Sequence, residues 1–141
     1  MESSSKERAS MTEFPNDRRY TSEHEWAREA GGHIVVGITD FAQEQMGDIV
    51  EVDLPDPGAR VTAGAPLGEV ESTKSIADVY SPVSGQVAET NADVKQSPEL
   101  INTDRYGRGW LVTVQAAPGQ LEELMAAADY RSFVSGEEIA R

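Results

Sequence analysis

Beyond Tyr20 the chain is a series of short apolar runs separated by Gly, Pro and small polar residues. Residues 33–39, HIVVGIT, follow the Gly31-Gly32 pair and are dense in β-branched side chains, which predicts a strand entered through a turn. Residues 39–47, TDFAQEQMG, predict a short helix. Thr39 or Asp40 can cap its amino end, and Gly47 can take the left-handed conformation that closes it. The stretch 48–55, DIVEVDLP, alternates: Val50, Val52 and Leu54 fall on one face, Glu51 and Asp53 on the other. PDPG at 55–58 predicts a turn. Gly64, Pro66 and Gly68 break 59–72 into short strands, and 75–90 has the same texture. A polar loop follows at 91–109, then a strand at 110–116, WLVTVQA. In 118–134, Leu121, Leu124, Met125 and Ala128 recur at helical spacing behind Pro118, which predicts an amphipathic helix. These elements predict a mostly β domain. It is a flattened barrel or sandwich of short antiparallel strands, with a short internal helix and a C-terminal amphipathic helix. Residues 1–19 lack periodicity and are expected to form a disordered extension, leaving 20–141 as the domain.

One echo crosses the pattern. GEVEST at 68–73 and GQVAET at 85–90 share Gly, Val and Thr at equal spacing, on either side of Lys74. Chance can produce six such residues; two similar halves of a barrel, with Lys74 at a turn, would also produce them.

Composition narrows the function. The chain has 141 residues, enough for one domain with one core. Aromatic content is 6%, so that core should be small and aliphatic. Net charge is −13, from 12 basic and 25 acidic residues, which argues against a nucleic-acid partner and suits solubility or an electropositive protein partner. The absence of cysteine excludes disulfides, thiolate metal sites and a cysteine nucleophile. Two histidines, His24 and His33, are too few for most histidine metal sites. No apolar run reaches the ~20 residues that span a bilayer. The polar amino end lacks an apolar signal region and carries Glu2, Glu7, Glu13 and Asp17, unlike a mitochondrial presequence. The expectation is a cytoplasmic monomer with no membrane or nucleic-acid partner.

Lys74 is the residue that asks for chemistry. It stands alone in EVESTKSIADVYSPVSGQV, 69–87, between Thr73 and Ser75. It can be an ordinary solvated lysine, a catalytic amine, or an acceptor for a covalent group. The charges near it, Glu69, Glu71 and Asp78, are all acidic; they favour the cation and argue against a Schiff-base enzyme. An acceptor must be exposed, held on a rigid turn and free of bulky neighbours, and Ser72, Thr73 and Ser75 meet the last condition.

Glu71 before Lys74, Pro82 in SPVSG and Gly85 after it resemble the lipoyl-domain signature, in which a lysine at a hairpin tip carries lipoic acid in amide linkage. The related biotinyl signature flanks its lysine with methionine, which this chain lacks there. The resemblance extends through SEHEW (22–26), VGITDFAQEQMGDIVEVDLPDPG (36–58), SPELIN (97–102), GWLVTV (109–114) and the LEELM of the terminal segment. Together these are similar to the glycine cleavage system H protein family from about Tyr20 to Phe133, with Met46 where the family would place leucine. The resemblance implies a lipoyl-domain-like fold and a lipoyl group on Lys74, within a modification motif of Glu71, Ser72, Thr73, Ser75 and Gly85. It implies a non-catalytic carrier with four partners. A pyridoxal-phosphate-dependent glycine decarboxylase loads an aminomethyl group; an aminomethyltransferase passes the carbon to tetrahydrofolate; dihydrolipoyl dehydrogenase, with FAD and NAD, reoxidises the dithiol; a lipoate-attaching enzyme modifies the lysine. It also implies a groove for the loaded arm at Glu25, Asp78, His24 and Glu23. A charged, solvated loop anchored by Trp26 is the other reading of those residues. Asp40, Glu44 and the acidic terminal helix can mark partner surface or serve as caps and solvation. Two alternatives stay open: an H-like protein that relays lipoyl groups to other acceptors, and a non-lipoylated binding module.

Overall fold

The computed structural model describes residues 12–140. Residues 1–11 of the expected extension lie outside the described residues.

Among the described residues nine strands form two antiparallel sheets. The six-stranded sheet contains β1 (Arg19–Tyr20), β2 (Glu25–Ala30), β3 (His33–Ile38), β9 (Val112–Ala116), β8 (Gly85–Thr90) and β5 (Arg60–Val61), in that spatial order. The three-stranded sheet contains β4 (Ile49–Asp53), β6 (Pro66–Ser72) and β7 (Ile76–Tyr80), in that order. Val36, Ile38, Val87, Val112 and Val114 from the first sheet meet Ile49, Val52, Val70 and Val79 from the second in one aliphatic core. Each sheet turns apolar side chains toward that core, which is what a sandwich with an aliphatic filling requires. The mostly β expectation holds.

Among the described residues four helices attach to this frame: α1 (Asp40–Met46), α2 (Ala92–Gln96), α3 (Leu100–Asp104) and α4 (Ala127–Ala140). For α1 the cap is Thr39, whose side chain accepts from the Ala42 amide; Gly47 closes the helix at φ 83°. Among the described residues no helix is long and apolar enough to cross a membrane.

Four expectations need correction. Val50 does not face the core; it is 50% exposed, while Ile49 and Val52 are buried. The register between β4 and β6 slips between Ile49 and Glu51, so Val50 is the extra residue of a bulge and the alternation resets there. The polar loop at 91–109 holds α2 and α3. Asn91 caps α2 by accepting from the Asp93 amide, and each helix buries a single aliphatic residue, Val94 or Ile101, too sparse a signal for periodicity. The terminal helix starts at Ala127, not near Pro118. The Met125 amide donates to the Tyr20 carbonyl at 2.9 Å, and the Tyr20 amide to the Met125 carbonyl at 2.8 Å. Pairing with the edge strand holds Leu124 and Met125 extended, leaving a 3₁₀ turn at Leu121–Glu123 upstream. The buried stripe of α4 is Ala127, Tyr130 and Val134.

The fourth correction concerns 12–19, which are packed rather than disordered. The Glu13 amide donates to Asp40 Oδ2 at 2.8 Å, Phe14 meets Tyr130 edge-on, and the Arg18 guanidinium lies 4.6 Å from the Trp26 ring centre. Aromatic partners replace the aliphatic periodicity that a sequence pattern detects. This segment covers a second cluster, with Tyr20, Trp26, Phe41 and Tyr130 buried in it.

Candidate functional site: the Lys74 hairpin and its cleft

Strands β6 and β7 pair from Pro66↔Tyr80 to Glu71↔Ile76 and leave Thr73, Lys74 and Ser75 as an exposed turn. Ser72 organises the turn. Its hydroxyl oxygen accepts from the amides of Lys74 and Ser75, both at 3.1 Å, and its own amide donates to the Ser75 carbonyl at 2.8 Å. A small hydroxylated residue at the entry to a tight turn satisfies amides that the ladder cannot. The tip is also tied to the body of the protein. The Thr73 amide donates to the Asp48 carbonyl at 3.1 Å, and the Ser75 hydroxyl donates to Met46 Sδ at 3.7 Å. Met46, noted in the sequence only as a variant of leucine, thus supports the hairpin. The Lys74 stem runs past Gly47, where a Cβ would sit 3.2 Å from Lys74 Cε.

Beneath that junction lies a residue that the sequence pattern does not single out. Asn102, on α3, accepts from the Ile49 amide at 2.9 Å and donates to the Gly47 carbonyl at 2.9 Å and to Gln43 Oε1 at 3.0 Å. It clamps the α1–β4 connection that holds Thr73. Only its place in SPELIN marked it.

A cleft of about 290 Å³ opens beside the hairpin. One wall is the 21–25 turn, with Glu23, His24 and Glu25; another is α1, with Phe41, Ala42, Gln45 and Met46; Val70, Ala77, Asp78 and Val79 complete it. The four groove residues expected from the sequence therefore line a single cleft. Glu25 is only 2% exposed. Its Oε1 accepts from the Thr21 hydroxyl at 2.6 Å and its Oε2 from the Tyr80 amide at 3.0 Å, so it links β2 of one sheet to β7 of the other. Burial pushes its carboxyl up to about 7, the nearby charge of Glu23 adds to the rise, and the two hydrogen bonds oppose it. Asp78 and Glu23 are exposed at the rim. His24 adopts φ 75°, unusual for a residue with a side chain. Its Nδ1 lies 2.8 Å from the Tyr130 hydroxyl, and its ring packs 4.8 Å from Phe41.

Two residues sit elsewhere. Gly85 begins β8 in the other sheet, where a Cβ would collide with the Gln115 carbonyl, so this position requires close packing. Asp40 is buried, accepts from Gln43 Nε2 at 2.9 Å and lies 3.4 Å from Arg105 Nε, which gives it a structural role.

Lipoyl chemistry fits these residues. The lysine is exposed between small neighbours. The cleft combines aliphatic, aromatic and thioether walls, suited to a hydrocarbon arm and its sulfurs, with carboxyl groups suited to an amine.

Comparison with known proteins points the same way. Residues 18–137 match the family described as glycine cleavage H-protein. The glycine cleavage system H protein of Anaeromyxobacter sp. strain K is 52% identical over 127 residues, covering 89% of this chain and 99% of the relative. That of Mycolicibacterium smegmatis is 51% identical over 130 residues, covering 89% and 99%. The crystal structure of a glycine cleavage system H protein from Mycobacterium marinum superposes with a TM-score of 0.77 at 44% identity, covering 84% of this chain and 96% of that one. The exposed lysine hairpin, the cleft beside it and these similarities together place the chain in the glycine cleavage H-protein family.

Proposed function

We propose that this chain carries a lipoyl group in amide linkage on Lys74. In this reading it moves the aminomethyl fragment of glycine from a pyridoxal-phosphate-dependent decarboxylase to a tetrahydrofolate-dependent aminomethyltransferase, then delivers electrons to dihydrolipoyl dehydrogenase. The observation that carries this reading is an exposed lysine on a braced turn beside a cleft with a buried carboxyl. Bound to the lysine, the group would supply a dithiolane that accepts a carbon fragment and two electrons, which a chain without cysteine cannot do itself.

The chain's own residues do the rest. Ser72 and the Asp48 carbonyl fix the turn, so the attaching enzyme meets a presented lysine rather than a loop to be ordered. Phe41, Met46 and Val70 line the cleft and exclude water from what rests there. Glu25 and Asp78 receive an amine. Because the Glu25 carboxyl titrates near 7, an arriving ammonium draws it into the carboxylate form and displaces a proton. The tether keeps the cargo at high local concentration beside each partner enzyme.

A reconstituted glycine cleavage assay tests the proposal. Lys74→Arg keeps the positive charge and lacks an amine that can form the lipoyl amide. It is expected to fold normally and to support no glycine cleavage after treatment with a lipoate-attaching enzyme. Full activity from that variant would move the acceptor to another lysine, Lys95 being the only other one in the domain.

A further inference from the structure

We infer that Tyr130, on the C-terminal helix α4 and outside the cleft's lining, is a positioning residue that locks the two walls of the arm cleft together. The inference rests on the carrier reading above and extends it to a residue that touches neither lysine nor cargo.

Its hydroxyl lies 2.8 Å from His24 Nδ1 and 2.8 Å from Thr39 Oγ1. A phenol hydroxyl donates once and accepts as well, so both bonds coexist. Each belongs to a different wall. His24 sits in the 21–25 turn between Glu23 and Glu25, in a left-handed conformation that must be held from outside. Thr39 caps α1, which supplies Phe41, Ala42, Gln45 and Met46 to another wall. The Thr39 amide also donates to the His24 carbonyl at 3.1 Å. That bond joins the walls at the backbone, and the Tyr130 hydroxyl joins them through side chains. The Tyr130 ring is fixed as well: fully buried, stacked on Tyr20 at 4.7 Å and 4°, with Phe14 edge-on at 5.7 Å. Three chain segments far apart in sequence thus converge on one buried oxygen, whose removal leaves the ring stack intact.

Tyr130→Phe in the full chain tests this, with Tyr20→Phe as matched control. Tyr20 lies in the same stack, but its hydroxyl donates to the Pro15 carbonyl at 2.6 Å and joins no cleft wall. The first measurement is amide hydrogen exchange on the unmodified protein. The Gln43 and Gly47 amides, which close α1 onto Thr39 and Gln43, should exchange about five- to tenfold faster in Tyr130→Phe, relative to amides of β3 and β9. Tyr20→Phe should leave that ratio unchanged. The second is ammonia release from lipoylated protein carrying the aminomethyl cargo, without transferase. Tyr130→Phe should release about five- to tenfold faster than parent or control. A purely structural role would lower thermal stability alike in both variants and move neither ratio, and that result overturns the inference. Parent protein that releases ammonia as fast as urea-unfolded protein would refute the cleft reading instead, while the exchange ratio would still judge Tyr130.

Discussion

At the scale of single residues, Glu25 ties two sheets together and is also the carboxyl that the proposed function assigns to the cargo amine. SEHEW pointed to the residue, but not to the bonds that occupy its oxygens, because Thr21 and Tyr80 are brought to it by a turn and by a second sheet. Alanine there would orphan the Tyr80 amide and confuse a cleft effect with a folding defect. Glutamine mimics the neutral form and can still accept from Tyr80. The pH dependence follows from the direction of the shift. The carboxyl titrates near 4.5 in the unfolded chain and about 7 in the fold, so the folded state binds the extra proton between those values. Stability is therefore greatest below about pH 4.5 as far as this group is concerned, and falls as pH rises through 7. The fall is on the order of 3 kcal/mol for a shift of that size. Urea unfolding of parent and Glu25→Gln at pH 5 and pH 8 checks this: the parent should lose the larger share of stability at pH 8, and the variant should lack that component. Equal slopes in the two proteins would mean that Glu25 is ionised in the fold.

At the scale of elements, legibility depended on how each element is stabilised. β3 was readable because β-branched side chains follow the Gly31-Gly32 turn, and the hairpin of β6 and β7 because short apolar runs flank a turn of Ser and Thr. The echo between 68–73 and 85–90 has a physical cause: Gly68 and Gly85 each begin a stretch where a partner strand crosses so closely that a Cβ would strike the carbonyl of Asp53 or Gln115. β2 was not readable as a strand, since Arg28 and Glu29 lie in it and half its residues face outward. Val50 misled because a bulge resets the period, and 118–126 misled because edge pairing with Tyr20 overrode helical spacing. Helix α3 was hidden, and with it the clamp that Asn102 places under the Lys74 turn. Asn102→Ala removes three hydrogen bonds and leaves the Ile49 amide without its acceptor. It should cost about 2–3 kcal/mol in chemical denaturation. Modification by a lipoate-attaching enzyme should slow while the protein remains folded. A loss below ~0.5 kcal/mol would show that water replaces the clamp.

At the scale of the whole molecule, the two sheets, α1 and α4 together present a lysine outward on a short turn, with a cleft beside that hairpin. The family could be read from ordered motifs spread along the chain, whereas the depth of Glu25 and the convergence on Tyr130 could not, since both depend on contacts between segments distant in sequence. The central claim is that Lys74 is the single attachment point. Its most direct test is the intact mass, with peptide mapping, of parent protein and Lys74→Arg, each co-expressed with a lipoate-attaching enzyme. The account predicts one lipoyl increment on the parent, mapped to the peptide containing Lys74, and none on the variant. An increment that persists in Lys74→Arg, or that maps to Lys95, would contradict it.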